Sequence, residues 1–552
     1  MRDIWILWGS AGRTIFPQAP NLQEKRYYSG VGPQRFSSST MGTPVSNPSN
    51  ASRKGVNSKP RRDFLRKALA VAGGALAVAG AGDLGLNGLQ LNPNSQFSKY
   101  LTSTSTSSSI SQNLVPDYLD FLEWAQSVSD KIPSKTTELS LEAEFTPYAV
   151  EALDPSFLRY SQVAAGYSEL PYLIQLEAVQ LAVSTKSPSY DAFSIDNQNI
   201  ASFESGIIPP PELVQTYPEL TYPNYDVQDF MTTVWDYVAT YPPTTSSGGS
   251  SSSRTSFTLF PFDAPLMVFF YRKDIYDKLG LTPPTTWDEY YAQVQKLPGN
   301  GTPYASVSMA NADVSIIYEY LNHLASFGGS LWTIDGNTIT PNLESDQCLA
   351  ALENFVRFEK YADPASHTYT WTDQFTSLAT GTSATALLWN DYYDWLNDPQ
   401  RSPIAAGHFV PALNPAGPNG AFSTYGGSGL SVSRYSSRPE AAYLWLQWAT
   451  CKGLQEQLLI DQYHIFPTRA SVLQAPEVQS QAGLGPLGAL GVMQQAWATG
   501  TTALTPFPQW LQLLVPLSTQ INNAWTGFKT PSQALTDAQN QLNQLFPNLT
   551  FA

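Results

Sequence analysis

The segment from Pro261 to Leu297, PFDAPLMVFFYRKDIYDKLGLTPPTTWDEYYAQVQKL, leaves few folds open. Two prolines bracket Asp263 in a turn. The apolar run Leu266–Tyr271 that follows is short enough for a strand buried on both faces. A short amphipathic helix comes next. Gly280 ends it, Pro283-Pro284 blocks its continuation, and Thr286-Trp287-Asp288-Glu289 has the spacing of a capping box that opens another helix. A buried strand with helices in direct succession predicts an α/β protein.

Size and charge sharpen this. With 552 residues, the chain exceeds what one core accommodates and predicts two lobes plus appended segments. The formal net charge of -15 hides an asymmetry, because residues 1–79 hold 12 of the 30 Lys+Arg and 3 of the 45 Asp+Glu. The remainder carries 18 basic and 42 acidic residues, a body that repels phosphate backbones and excludes nucleic acid as a partner. Lys59-Pro60-Arg61-Arg62-Asp63-Phe64-Leu65-Arg66-Lys67 and the mildly apolar run to Gly82 resemble a twin-arginine export signal, with Ala77-Val78-Ala79 as a small-residue cleavage site. Residues 1–58 read as a disordered leader or as sequence upstream of the true start; a start at Met41 would bring the signal near the first residue. Residues 83–135 read as a Ser/Thr-rich linker, with the low-complexity tether Leu101–Ser111, and a first helix. The folded part is expected from about Thr136, where Leu139, Leu141, Ala143 and Phe145 alternate with polar residues as in a strand. Residues 242–256 read as a flexible insertion. Cys348 and Cys451 sit in separate predicted helices and are expected to be buried free thiols.

Motifs for covalent or metal chemistry do not emerge. The four histidines lack metal-ligand spacing, no Walker A or G-x-S-x-G sequence occurs, and Gly483-Leu484-Gly485-Pro486-Leu487-Gly488 matches GxGxxG only formally, with Pro486 breaking its turn. No metal or cofactor is expected.

Several segments instead carry a resemblance. Tyr190-Asp191-Ala192-Phe193-Ser194-Ile195-Asp196-Asn197, the Gly206-Ile207-Ile208-Pro209 turn, and the Asp263 turn with the YRKD strand end and the LGL-PP-TW-DE sequence follow in order. So do Phe327-Gly328-Gly329 with Asp335-Gly336-Asn337, Leu378–Ala384, Tyr425-Gly426-Gly427-Ser428-Gly429-Leu430, and Phe466-Pro467-Thr468-Arg469-Ala470-Ser471-Val472-Leu473. Together they are similar to family 1 extracellular solute-binding proteins, the sugar-type receptors of ABC importers, over about residues 136–552.

The resemblance implies a two-lobed periplasmic-binding-protein-like fold with a ligand cleft at the hinge. It places the first lobe at 136–264 and 421–473 and the second at 265–420 and 474–552. It also implies a monomeric, non-enzymatic receptor outside the cytoplasm that binds a carbohydrate and hands it to permease subunits. Its only membrane association would be through the export segment or the permease. Sugars need carboxylates and amides for their hydroxyls and aromatic rings for their C–H faces. Asp196 and Asn197 end the YD strand in a loop that faces the ligand in the family; capping of the next helix is the plainer role. Asp263 holds a hinge position where the family often carries a ligand-binding acid. Tyr318 stands where some maltodextrin-type relatives place a stacking ring, or is an ordinary helix-face residue. Trp389, Asp391 and Tyr392 end a cleft strand. Gly426 and Gly427 present backbone to ligand or pack tightly, and Trp510 holds a late aromatic position. Trp371 and Arg469 are weaker candidates, while Trp445, Trp448 and Trp525 suit helix cores. One departure is Asn199, where many members carry an aromatic, and it leaves the ligand class open. The same fold binding a polyamine or metal chelate is one alternative, a secreted carbohydrate-active enzyme another.

Overall fold

A computed structural model describes residues 114–142, 145–241, 257–461, 466–480 and 489–550, which all lie in one contiguous unit, Thr106–Ala552. The leader, the export signal, the Leu101–Ser111 tether, the 242–256 insertion and the GxGxxG run lie outside the described residues.

Strands are numbered in chain order. β1 (Thr136–Glu142), β2 (Ala164–Leu170), β3 (Ala192–Asp196), β4 (Ile207–Ile208), β5 (Phe260–Pro261) and β13 (Ser428–Ser433) build one sheet, ordered β2-β1-β3-β13-β4 with β5 also on β13. A second sheet, ordered β11-β6-β10-β7, comprises β6 (Met267–Arg272), β7 (Tyr304–Ser306), β10 (Ser383–Trp389) and β11 (Phe409–Ala412). Beside them, the hairpin β8 (Trp332–Asp335) and β9 (Thr338–Pro341) carries β15 (Leu549–Thr550), and β12 (Ser423–Thr424) pairs with β14 (Thr501–Thr502). Every residue of β6, β10 and β13 is buried, as expected of central strands covered on both faces. Each sheet has its own large apolar core.

Local chemistry explains the elements around the Asp263 turn. Gly280 adopts φ +65°, a left-handed conformation open to glycine, and Leu281 N–H then bonds Tyr276 C=O at 2.9 Å to close the helix. Thr286 caps the following helix by accepting from Glu289 N–H at 3.2 Å. The return bond of the capping box is shifted by one residue, since the Glu289 carboxylate takes Thr285 N–H and Oγ1–H, each at 2.7 Å.

Two expectations need correction. The first strand stops at Glu142, because its partner β2 ends opposite at Leu170, and Phe145 opens the helix Phe145–Ser161 instead of extending the alternation. The folded body also begins ahead of Thr136. The helix Pro116–Val128 buries Tyr118, Phe121 and Leu122 and packs on the helix Lys452–Ile460. Gly453 permits that approach, for a Cβ there would overlap the Tyr118 backbone. Cys348 and Cys451 are buried and unpaired.

Two crossings between the sheets run side by side. Phe262 N–H donates to Ser428 C=O at 3.0 Å, Gly426 N–H to Pro265 C=O at 3.2 Å, and Leu266 bridges Tyr425. Asn414 anchors the return crossing: its amide donates to Met267 C=O and Phe422 C=O, both at 2.9 Å, and to Asn322 Oδ1 at 3.0 Å. Asn322 Oδ1 also accepts Thr424 N–H at 2.9 Å, which ties the crossing to the helix Val314–Ser326.

Candidate functional site at the hinge edge of the two sheets

β3 ends at Asp196, directly opposite Ser428 at the start of β13, and β10 ends at Trp389, opposite Met267 at the start of β6. Both sheets thus bring a strand end to the paired crossings, where α/β folds place ligands. Side chains and backbone groups there follow one another in a circuit of contacts, closed by the register pair Asp196–Ser428. Gln198 Nε2 donates to the Tyr318 hydroxyl at 2.7 Å and to Asp196 Oδ2 at 3.2 Å. The Tyr318 ring meets the Trp389 ring edge to face, with centroids 5.1 Å apart. Trp389 lies against Gly426, where a Cβ would sit 2.5 Å from the indole. Tyr425 then donates its hydroxyl to Asp263 C=O at 3.2 Å, and Asp263 Oδ1 accepts Ser428 N–H at 2.6 Å and Ser428 Oγ–H at 2.9 Å. Ser428, opposite Asp196, returns the path to its start.

The electrostatics agree with that geometry. Burial above all, then the carboxylates of Asp263 and Asp196, then the phenols of Tyr237 and Tyr318, push the Tyr425 phenol far above its ordinary range. Tyr425 is therefore neutral and donates. Tyr237 stacks on it with centroids 5.5 Å apart.

Beside the circuit, Asn197, Gln198 and Asn199 form a row of amides, 0%, 0% and 1% exposed. Each spends its NH2 on a protein acceptor: Asn197 on Leu504 C=O at 2.9 Å, Gln198 as above and on the Tyr172 hydroxyl at 2.9 Å, and Asn199 on that hydroxyl at 3.1 Å. Each amide oxygen is buried without a hydrogen-bond partner. Tyr172 in turn meets Trp371 edge to face at 5.6 Å.

A profile of the family described as bacterial extracellular solute-binding protein matches residues 161–456, more than half of the chain. The chain belongs to this family. The solute-binding protein is 23% identical over 402 residues to a probable amino-acid ABC transporter periplasmic-binding protein of Sinorhizobium fredii, covering 71% of this chain and 85% of the relative. Its fold is similar to maltose-bound MalE3 of T. maritima, with TM-score 0.63 and 19% identity over 74% of this chain and 100% of that one. A solute-binding protein of Agrobacterium radiobacter K84 in complex with ribitol gives TM-score 0.64 and 20% identity over 75% and 100%. These likenesses establish the two-lobed α/β periplasmic-binding-protein fold.

Of the residues singled out from the solute-binding protein's sequence, Asp196, Asp263, Tyr318 and Trp389 meet in the circuit. Asn197 adjoins it, its N–H bonded to Gly427 C=O at 3.2 Å. Gly427 is there for room, since a Cβ would overlap the Tyr425 hydroxyl. Asp391 stands just past the strand end, half-buried and accepting from Asn390 Nδ2 at 3.2 Å. Tyr392 and Trp510 are not in the circuit. The Tyr392 ring is fully buried and stacks on Phe375 at 5.1 Å, and Trp510 is buried beside Phe507. The strand ends at Trp389, and the helix Tyr392–Asn397 that begins just beyond it turns Tyr392 inward. Arg469 is structural: its guanidinium donates to Thr450 C=O at 2.8 Å and Asp226 C=O at 2.9 Å and lies over the Phe230 ring. Sequence reasoning missed Gln198, Tyr172, Tyr237 and Tyr425. Only Gln198 left a signal, as the neighbour of Asp196 and Asn197 in one polar loop.

Proposed function

We propose that this protein is the extracytoplasmic receptor of an ABC importer and captures a neutral sugar or polyol by closing two lobes over it. The lobes are residues 136–264 with 421–473, and 265–420 with 474–552, moving as bodies about the crossings at Asp263 and Tyr425. The observation that carries this reading is the circuit, which alternates hydroxyl-binding groups (Asp196, Gln198, Asp263) with aromatic faces (Tyr318, Trp389). Carboxylates and amides take hydroxyl hydrogens, and rings cover C–H faces. The Sinorhizobium relative is named for amino acids, but rings alternating with hydroxyl-binding groups suit a sugar or polyol. A polyamine would use the same rings through cation–π contact, so binding itself has to separate it from a sugar. Export by the twin-arginine-type signal and handover to the permease as a monomer complete the reading.

The test is a thermal-shift and calorimetric screen of the full chain against sugars, pentitols, hexitols, amino acids, polyamines and metal chelates. A ligand at 100 times its dissociation constant stabilises the folded form by about 2.7 kcal/mol. A sugar or polyol should bind and be recovered intact, and the double variant Asp196→Asn, Trp389→Ala should lose it. Binding confined to polyamines, chelates or amino acids would overturn the ligand class. Hydrolysis products would replace the receptor with a carbohydrate-active enzyme.

A further inference from the structure

Each of the two side-by-side crossings is held firmly at both ends, and little chain is left between the held points. On the outgoing crossing, Asp263 belongs with the first sheet, since its carboxylate accepts Ser428 N–H and Oγ–H of β13 at 2.6 and 2.9 Å. Leu266 belongs with the second. Its N–H donates to Asn390 Oδ1 at 2.5 Å, and its C=O accepts Asn390 N–H at 2.9 Å. On the return crossing, Ser423 N–H donates to Gly500 C=O at 3.0 Å and Tyr425 N–H to Thr502 C=O at 2.7 Å. Those acceptors flank β14, which packs against the helix Val314–Ser326 of the second sheet, whereas Ser428 already pairs with Asp196 in the first. Between the held points lie only Ala264-Pro265 and Gly426-Gly427.

Asn414 ties the second-sheet ends of both crossings to that helix. Its NH2 faces Met267 C=O just past the outgoing crossing, Phe422 C=O and Ser423 Oγ on the return crossing, and Asn322 Oδ1 on the helix. An amide oxygen in that place would face two carbonyls and a second amide oxygen, which fixes the orientation of the side chain. Asn322 passes the hold on. Its Oδ1 also takes Thr424 N–H at 2.9 Å, and its NH2 donates to Tyr318 C=O at 3.0 Å and Glu319 C=O at 3.2 Å. Thr424 Oγ–H donates to the same Tyr318 carbonyl at 3.0 Å. Asn322, Asn414 and Thr424 are all buried, so a lost partner here is not replaced by bulk water.

We infer that the lobes turn about the links Ala264-Pro265 and Gly426-Gly427, and that Asn414 is the positioning residue that confines the turning to them. The inference rests on the closing-receptor part of the reading above and not on its ligand class. Ser423–Tyr425 then move with the second lobe, not with the first as the family resemblance places them. Pro265 fixes one φ and restricts Ala264 before it, so most of the rotation falls to the glycine pair. Trp389 rests against Gly426, and Tyr318 rides on the helix that Asn322 holds to the crossing. Short, firmly held links therefore set where both rings stand when the lobes close. Without the Asn414 amide the slack would extend back along the return crossing to Phe422, and the closed arrangement would be less sharply defined.

The test is pulsed electron spin resonance on the ligand-free full chain, spin-labelled through Glu177→Cys on the first lobe and Lys296→Cys on the second. Both positions are exposed, whereas Cys348 and Cys451 are buried. Asn414→Ala should broaden the distribution of distances between the lobes, and amide exchange at Thr424 should speed up roughly tenfold or more. Asn414→Asp keeps the shape of the side chain, removes its donors and should do the same. Thr424→Val removes only the bond to Tyr318 C=O and, as the milder variant, should broaden the distribution less. Asn354→Ala is the control. It deletes another buried amide of the second lobe, bonded to His323 Nδ1 at 2.7 Å, and should leave the distribution as in the parent. Parent-like distributions in all three crossing variants overturn the inference, and so does equal broadening by the control. Broadening by Asn414→Ala but not by Asn414→Asp would make volume the cause and overturn the role of the amide donors. Failure of every sugar and polyol in the ligand screen overturns the ligand class alone, because these distances are measured without ligand.

Discussion

Asp154 shows how single side chains set the properties of this protein. It is buried on the helix Phe145–Ser161, and burial raises its carboxyl to about 7, against a smaller lowering by the Tyr167 hydrogen bond. The unfolded carboxyl titrates near 3.8, so between about pH 4 and 7 the folded state holds a proton that the unfolded state has lost. Its contribution to stability therefore falls as pH rises through that window. Asp154→Asn should gain on the parent between pH 5 and pH 8, by on the order of 2 kcal/mol in denaturant unfolding, and a gap independent of pH would reject the argument. The hinge glycines make a second test. Gly427→Ala drives a Cβ into the Tyr425 hydroxyl and should cost about 1–3 kcal/mol. Gly426→Ala displaces Trp389 instead and should weaken ligand binding roughly tenfold in calorimetry.

At the scale of elements, the late segment Phe466–Arg469 has a structural task. Arg469 is fully buried; it bonds two carbonyls and lies 3.7 Å from the Asp229 carboxylate, while Met231 N–H bonds Thr468 C=O at 2.9 Å. These contacts fasten the segment after the Lys452–Ile460 helix to the loop that leads into the helical turn at Thr232–Val234. Arg469→Ala would leave those acceptors buried and Asp229 without its cation, a loss of roughly 3–5 kcal/mol by denaturant unfolding. Arg469→Lys should recover only part of it, because an ammonium cannot reproduce the guanidinium fork. An Ala variant within about 0.5 kcal/mol of the parent would show the clamp to be dispensable.

For the whole molecule, the crossings at Asp263 and Tyr425 are expected to act as the hinge of a closing receptor. Saturating ligand should lower the radius of gyration of the parent in X-ray scattering, since ligand favours the form whose contacts only closure completes. Gln198→Ala, lacking the bond to Tyr318, should start more open. Identical scattering with and without bound ligand would rule the closure out.

Strand and helix order around Asp263 was legible in the sequence, because continuous apolar runs, turn prolines and caps act within a few residues. Family membership was legible for the same reason: its motifs are local. The first strand was read too long because the end of a ladder depends on its partner, here β2, which stops at Leu170. Asp196, Asp263, Tyr318 and Trp389 could each be picked out, but their meeting could not, since Ser428 faces Asp196 across 232 positions of chain only through the register of β13 on β3. Tyr392 lies outside the circuit because the helix Tyr392–Asn397 begins just past the strand end and buries its ring. Tyr425 and Tyr172 carried no local signal, as their roles arise from rings and carboxylates brought from distant segments. The sequence by itself determined which elements form and where their chemistry-bearing ends lie. Only the tertiary structure decided which ends meet, because burial and hydrogen-bond pairing between segments far apart in the chain are set by packing and not by neighbours.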